Sequence, residues 1–192
     1  MKKSVFRMPV PVKITGRTSA ITNSFANGII PVMQPTEEEI RRALEALGMK
    51  EETICCAYCG GAYTEWDHLR PLIRKKRPTG YISEIHNLVP ACGKCNQSKG
   101  NREWREWAVS DAPLSPRSRG VSDLDERMRR LEEYERTFEP VRIDFAAVVG
   151  AERWERHWKN CEELHAAMRA CQQSADELRD LLAKSVERER QA

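Results

Sequence analysis

Four cysteines constrain this chain more than anything else in it. Cys56-Ala57-Tyr58-Cys59 and Cys92-Gly93-Lys94-Cys95 are two Cys-x-x-Cys turns with thirty-two residues between them. Each such turn offers two thiolates at the bite a tetrahedral zinc ion takes. Glycines accompany both, Gly60-Gly61 after the first and Gly93 inside the second. Four protein ligands leave no position open, so the expected zinc is structural. The interval is longer than a simple zinc ribbon needs, and a further unit is expected between the knuckles. Cys55 does not fit the spacing and is read as a spare thiol.

The remaining composition sets limits. A chain of 192 residues makes one domain, or one domain with an appendage. Charged residues are 32% and aromatics only 7%, which predicts a modest core and much solvated helix. The net charge of +3 hides a split. Residues 68–106 carry nine basic against three acidic residues, and residues 121–149 carry five basic against eight acidic. The basic stretch coincides with the cysteine region and suits a polyanion. The start, Met1-Lys2-Lys3 followed by FRMPVPVKI, is broken by Arg7 and two prolines and does not read as a secretory signal. No run approaches the ~18 apolar residues of a membrane helix. A cytoplasmic setting is expected, where thiols stay reduced, and the seven cysteines are then ligands plus core thiols.

Along the chain, residues 1–18 read as irregular or short-stranded, with Val10, Val12 and Ile14 alternating and Pro9 and Pro11 favouring an edge position. Residues 19–32 predict a short helix ending near Gly28, then an extended piece to which no function is assigned. Thr36 and Glu39 have capping-box spacing ahead of a helix with Ile40, Ala43, Leu44 and Leu47 on one face. A strand is expected over 63–69 and a basic loop over 70–82. A second strand is expected near His86 to Val89, ended by Pro90. One helix is expected from Lys94 through Trp104 and Trp107, both read as core, to Ala108. Residues 109–121, rich in Pro and Ser, read as a linker or exposed loop, with Arg117 and Arg119 open to phosphate or plain solvent. Ser122 and Asp125 predict a capped helix over 122–138, and residues 140–146 look extended. After Gly150 a helical pattern runs for about forty residues without Pro or Gly. Its seam is read as Trp154, Cys161, Leu164, Met168, Cys171, Ala175, Leu178 and Leu182. Cys161 and Cys171 are expected as core thiols, and His157 and His165 as packing or surface groups.

Between and around the knuckles sits a second set of polar residues. Asp67-His68 lies in Trp66-Asp67-His68-Leu69-Arg70-Pro71-Leu72. Asn87-Leu88-Val89-Pro90 follows, and then Cys92-x-x-Cys95-Asn96-x-x-Lys99-Gly100. In combination these segments resemble the His-Asn-His (HNH) endonuclease family, in its zinc-containing branch. The Asp-His…Asn…Asn-x-x-Lys order is similar to the HNH domain of RNA-guided DNA nucleases. The resemblance covers residues 54–108. The last position is Asn96 rather than histidine, a substitution the family admits.

The resemblance implies a ββα-metal fold with His68 as general base. It implies that Asp67 and Asn96 hold Mg2+ or Mn2+, and that Asn87 stabilises the loop that orients His68. A histidine titrating near neutrality suits the base, and oxygen ligands suit a hard cation. Arg70, Arg74, Lys75, Lys76, Arg77, Lys94 and Lys99 are expected on DNA phosphates, Lys99 foremost because it belongs to the matched motif. His86 is expected to face away from the site. The fold class is therefore α+β and predominantly helical, with a ββα-metal core, a four-cysteine zinc site and flanking helices. The segments are an N-terminal arm and packing helix (1–53), the nuclease domain (54–108), a linker (109–121) and a C-terminal helical region (122–192). The function expected is hydrolysis of DNA phosphodiester bonds, in a setting such as restriction or phage defence. The alternative is a zinc-dependent DNA- or protein-binding module without catalysis. DNA is the expected partner, with the C-terminal helix as a homodimer contact, and neither a membrane nor a small-molecule cofactor is expected.

Overall fold

The computed structural model describes residues 7–191. Lys2 and Lys3 of the basic N-terminus lie outside the described residues. In chain order the elements are α1 (Thr18–Asn27), α2 (Glu37–Ala46), β1 (Glu65–His68), β2 (Ile73–Arg74), β3 (Arg77–Pro78), β4 (Leu88–Ala91), α3 (Gly93–Lys99), α4 (Trp104–Ala108), α5 (Leu124–Thr137), α6 (Phe145–Val149) and α7 (Ala151–Gln191). The chain divides into two compact units. One joins the segment ending at Phe25 to the segment beginning at Val149, and the other runs from Ala26 to Val148. No described helix is long and apolar enough to cross a membrane.

The central unit is built on an antiparallel pair. β1 pairs with β4 in the register Glu65↔Ala91, Asp67↔Val89 and His68↔Leu88. Pro90 does not end β4. It lies within the strand, opposite Trp66. The basic loop contains its own hairpin, β2 against β3, turning at Lys75 and Lys76, both with positive φ. The single helix expected over 94–108 is two. Gly100 takes φ 51° and breaks it, so that α4 can turn Trp104 and Trp107 into the core, where they are 0% and 1% exposed. Around them pack Tyr58, Leu69, Val89, Leu131, Tyr134 and Phe138, with Leu44 and Leu47 of α2. α2 starts at Thr36 with the anticipated reciprocal cap to Glu39. α5 begins at Asp123 without a side-chain cap, not at the expected Ser122 and Asp125 pair. Tyr134 on α5 donates its hydroxyl to the carbonyls of Ile85 and of Leu88, the latter at 3.0 Å, and so ties α5 to the start of β4.

Other expectations hold only in part. Residues 140–144 are not helical and Arg142 bridges to Tyr81, but 145–149 form a helical turn. Residues 109–121 are a largely exposed loop, but an anchored one. Ser115 is fully buried, its hydroxyl donates to the Ser110 carbonyl at 2.6 Å, and the segment folds back on the cysteine cluster. Val10 and Val12 stand 83% and 94% exposed and form no strand.

The other unit packs residues 14–25 along α7. Gln172 accepts from the Ile14 amide at 2.7 Å, Thr22 bonds His165 at 3.3 Å, and the His157 ring meets the Phe25 carbonyl at 3.0 Å. The packed face of α7 runs Trp154, Trp158, Cys161, His165, Met168, Gln172 and Ala175. The expected seam shared four of these but drifted onto Leu164 and Cys171, which are exposed. A strict alternation of four and three places polar His165 and Gln172 inside, and each finds a hydrogen-bond partner there.

Candidate active site and metal centre

The four expected zinc ligands converge. The sulfurs of Cys56, Cys59, Cys92 and Cys95 all lie within 4.8 Å of one another, with Cys59 and Cys92 3.7 Å apart. Tetrahedral zinc with Zn–S near 2.3 Å separates its sulfurs by roughly 3.8 Å, so the cluster can hold that ion. The protonation balance points the same way. Hydrogen bonding to Cys56 pulls the Cys59 thiol far down, while the same contact pushes Cys56 up to about 11, and Cys95 is driven up by both. Four thiols this close cannot all ionise without a cation among them. Cys55 stays outside the cluster, as expected.

Two arginines close over the cluster. Arg119 donates to Cys95 Sγ at 2.8 Å, so it turns inward to a thiol where a phosphate or solvent contact was expected. Arg127 reaches the Cys56 carbonyl at 3.4 Å. Gly60 takes φ 72°, a conformation that favours glycine, and the Arg127 guanidinium lies over it.

Tyr58, inside the first knuckle, connects this cluster to the polar set. Its ring packs edge-on against Trp107 and its hydroxyl donates to Asp67 Oδ2 at 2.5 Å. Asp67 is 6% exposed. Burial pushes its carboxyl above the ordinary range, opposed by the Lys99 charge and the Tyr58 hydroxyl. Lys99 Nζ sits 3.0 Å from the same Oδ2 and 2.8 Å from the His68 carbonyl, with the residue only 1% exposed. Lys99, expected first among the phosphate contacts, is therefore an interior residue whose charge is spent on Asp67. The Tyr58 and Lys99 side-chain contacts both fall on Oδ2.

His68 follows Asp67 and, by strand alternation, projects from the opposite face of β1. Its Nε2 lies 2.9 Å from Ser83 Oγ. Burial and the Lys99 charge lower its pKa to about 4, so the ring is neutral at pH 7. Ser83 is held in turn by residues 31–33: its amide donates to the Pro31 carbonyl at 3.0 Å and its carbonyl accepts from Met33 at 2.9 Å. The extended piece without an assigned role thus fixes the partner of the histidine. Asn87 is fully buried. It accepts from the Arg70 amide at 2.8 Å and donates to the Arg70 carbonyl at 3.0 Å, clamping the turn that follows His68.

Asn96 on α3 donates its Nδ2 to Glu65 Oε2. Glu65 shares the Asp67 face of β1. Sequence reading passed over Tyr58, Glu65 and Ser83. Glu65 alone carried a signal, as an acid two residues before Asp67. Of the expected phosphate contacts, Arg70 pairs with Glu135 at 3.5 Å and Arg74 pairs with Glu103. Lys75, Lys76, Arg77 and Lys94 are exposed. His86 stacks on Phe138, away from the site as expected.

Residues 56–102 match the HNH endonuclease family. They form an HNH endonuclease domain. The chain is also similar to the CRISPR-associated endonuclease Cas9 of Corynebacterium diphtheriae, with 38% identity over 64 residues, which is 31% of this chain and 6% of that protein. The chain thus matches only a small part of that relative's length. No solved structure matches the chain. The knuckles, the β1–β4 pair and α3 lie within the matched HNH segment, whereas α2, α5 and α7 lie outside it.

Proposed function

We propose that the chain is a metal-dependent endonuclease that hydrolyses DNA phosphodiester bonds, with His68 as general base. The observation that carries this reading is an oriented imidazole, its Nε2 2.9 Å from Ser83 Oγ, on the residue that follows a buried carboxylate whose contacts with Tyr58 and Lys99 both fall on Oδ2. In the tautomer whose Nε2–H donates to Ser83, the Nδ1 lone pair is left to take a proton from the attacking water. The Asn87 clamp holds the turn behind the ring, so the histidine has little freedom to swing away. Asp67 Oδ1 and Asn96 Oδ1 are the oxygens that would hold Mg2+ or Mn2+, a donor set suited to a hard cation. Such an ion, when bound, neutralises charge on the scissile phosphate and the leaving oxygen.

Zinc at the four cysteines has a separate, structural task. The strand pair is short, and metal binding supplies folding free energy to a unit with little core of its own. The exposed Lys75, Lys76, Arg77 and Lys94 are the side chains placed to meet DNA phosphates. The last third of α7 exposes Leu178, Leu181, Leu182 and Val186 at 47–69%. A second copy of the chain covering that stripe would pair two active sites. Sedimentation showing a monomer at working concentration removes this part. Restriction or phage defence in the cytoplasm is the biological setting that such an enzyme fits.

A plasmid-nicking assay with Mg2+ or Mn2+ tests the reading. Cleavage by the wild-type chain should disappear in His68→Ala while zinc content is unchanged. Absence of cleavage with every divalent ion and DNA form would leave a zinc-dependent binding module in its place.

A further inference from the structure

Asn96 enters the site with an ambiguity that no sequence motif resolves. A primary amide has a donating end and an accepting end, and only the oxygen can bind a cation. Rotated by half a turn, the same side chain would present an NH2 group to the ion and oppose its binding. Something in the fold must choose. Glu65 is placed to do so: its Oε2 receives the Asn96 Nδ2, and a carboxylate can only accept. The register puts Glu65 opposite Ala91 and two residues before Asp67, so both acids project from one face of β1.

We propose that Glu65 is a positioning residue of the nuclease site: it locks the Asn96 amide with Oδ1 toward the catalytic cation. This rests on the reading of Asp67 and Asn96 as the cation ligands. Residues that orient metal ligands typically matter by 10–100-fold in affinity. Glu65 therefore belongs with the ligands in effect, although it need not touch the ion.

The test is Mn2+ binding to the full, zinc-loaded chain, followed calorimetrically and by the electron paramagnetic resonance of free Mn2+, without DNA. Asn96→Ala should weaken Mn2+ at least tenfold. Glu65→Ala should weaken it by about tenfold or more. Glu65→Gln keeps an acceptor oxygen for Nδ2 and should stay within about threefold of wild type. The deciding arm is the double variant. If Glu65 acts through Asn96, Glu65→Ala adds little to Asn96→Ala. Full additivity overturns the positioning role, because Glu65 then acts on the ion directly or through the fold. Weakening by Asn96→Ala with no effect of Glu65→Ala also overturns it, while leaving the ligand assignment intact. No effect of Asn96→Ala overturns the ligand assignment itself and this inference with it.

Discussion

The thiol cluster of the central unit and the proposed oxygen site differ in how they are assembled. The thiol cluster comes from two tight turns, each fixing a pair of ligands through two intervening residues. The oxygen set is drawn from β1 and α3, and its side chains are oriented by groups from further elements. Asp67 is held by Tyr58 of the first knuckle and Lys99 of α3, His68 by Ser83, and Asn96 by Glu65. Local spacing suffices for the first set, whereas the second exists only once the unit has folded. Tyr58, which lies between Cys56 and Cys59 and donates to Asp67, links the two.

Removing zinc should break the comparison at its base. Structural zinc accounts for about 10–16 kcal/mol of apparent binding free energy in small zinc domains. Cys95→Ser, or stripping with a strong chelator, should therefore abolish cooperative thermal unfolding of the central unit and all cleavage with it. Lys99→Met addresses the oxygen side alone. It leaves Asp67 buried without its charge partner and should cost about 3–5 kcal/mol in denaturant unfolding, with zinc still bound. If the loss is below about 1 kcal/mol, Lys99 does not stabilise Asp67 as described. Asn87→Ala removes both hydrogen bonds to Arg70 and leaves a buried amide and carbonyl unpaired, at about 1–3 kcal/mol each. The same denaturation experiment reads it, and an unchanged midpoint would show that the clamp is not needed. Tyr58→Phe keeps the packing against Trp107 and deletes only the hydroxyl. It should lower stability by about 1.5–3 kcal/mol at most, and it should shift the Mg2+ dependence of cleavage while leaving zinc content alone.

The same contrast explains what was legible in the sequence. The cysteines, the α2 cap and the uninterrupted α7 are local patterns, and each takes the form its spacing predicts. Asp67, His68, Asn87 and Asn96 were visible as a motif, but their partners were not. Lys99 looked like a surface cation because lysine usually is one. Only the fold reveals that Asp67 and two carbonyls receive its ammonium. Ser83 and Glu65 matter through contacts fifteen and thirty-one residues away in the chain, beyond any local period. Arg119 seemed solvent-facing because its proline- and serine-rich surroundings resemble a linker, yet its segment is drawn in by the thiol cluster. In α7 the apolar residues Leu164 and Cys171 suggested the wrong phase. The true face accepts His165 and Gln172 because the 14–25 segment offers them partners.

The central claim is that one protein holds two metals with separate tasks. The direct measurement is metal content alongside cleavage. Chain dialysed against a mild chelator, then assayed by elemental analysis and plasmid nicking, should retain one zinc, stay folded and be inactive until Mg2+ or Mn2+ is restored. Cleavage by the zinc-only protein, or an intact fold and full activity after zinc is removed, would contradict the account.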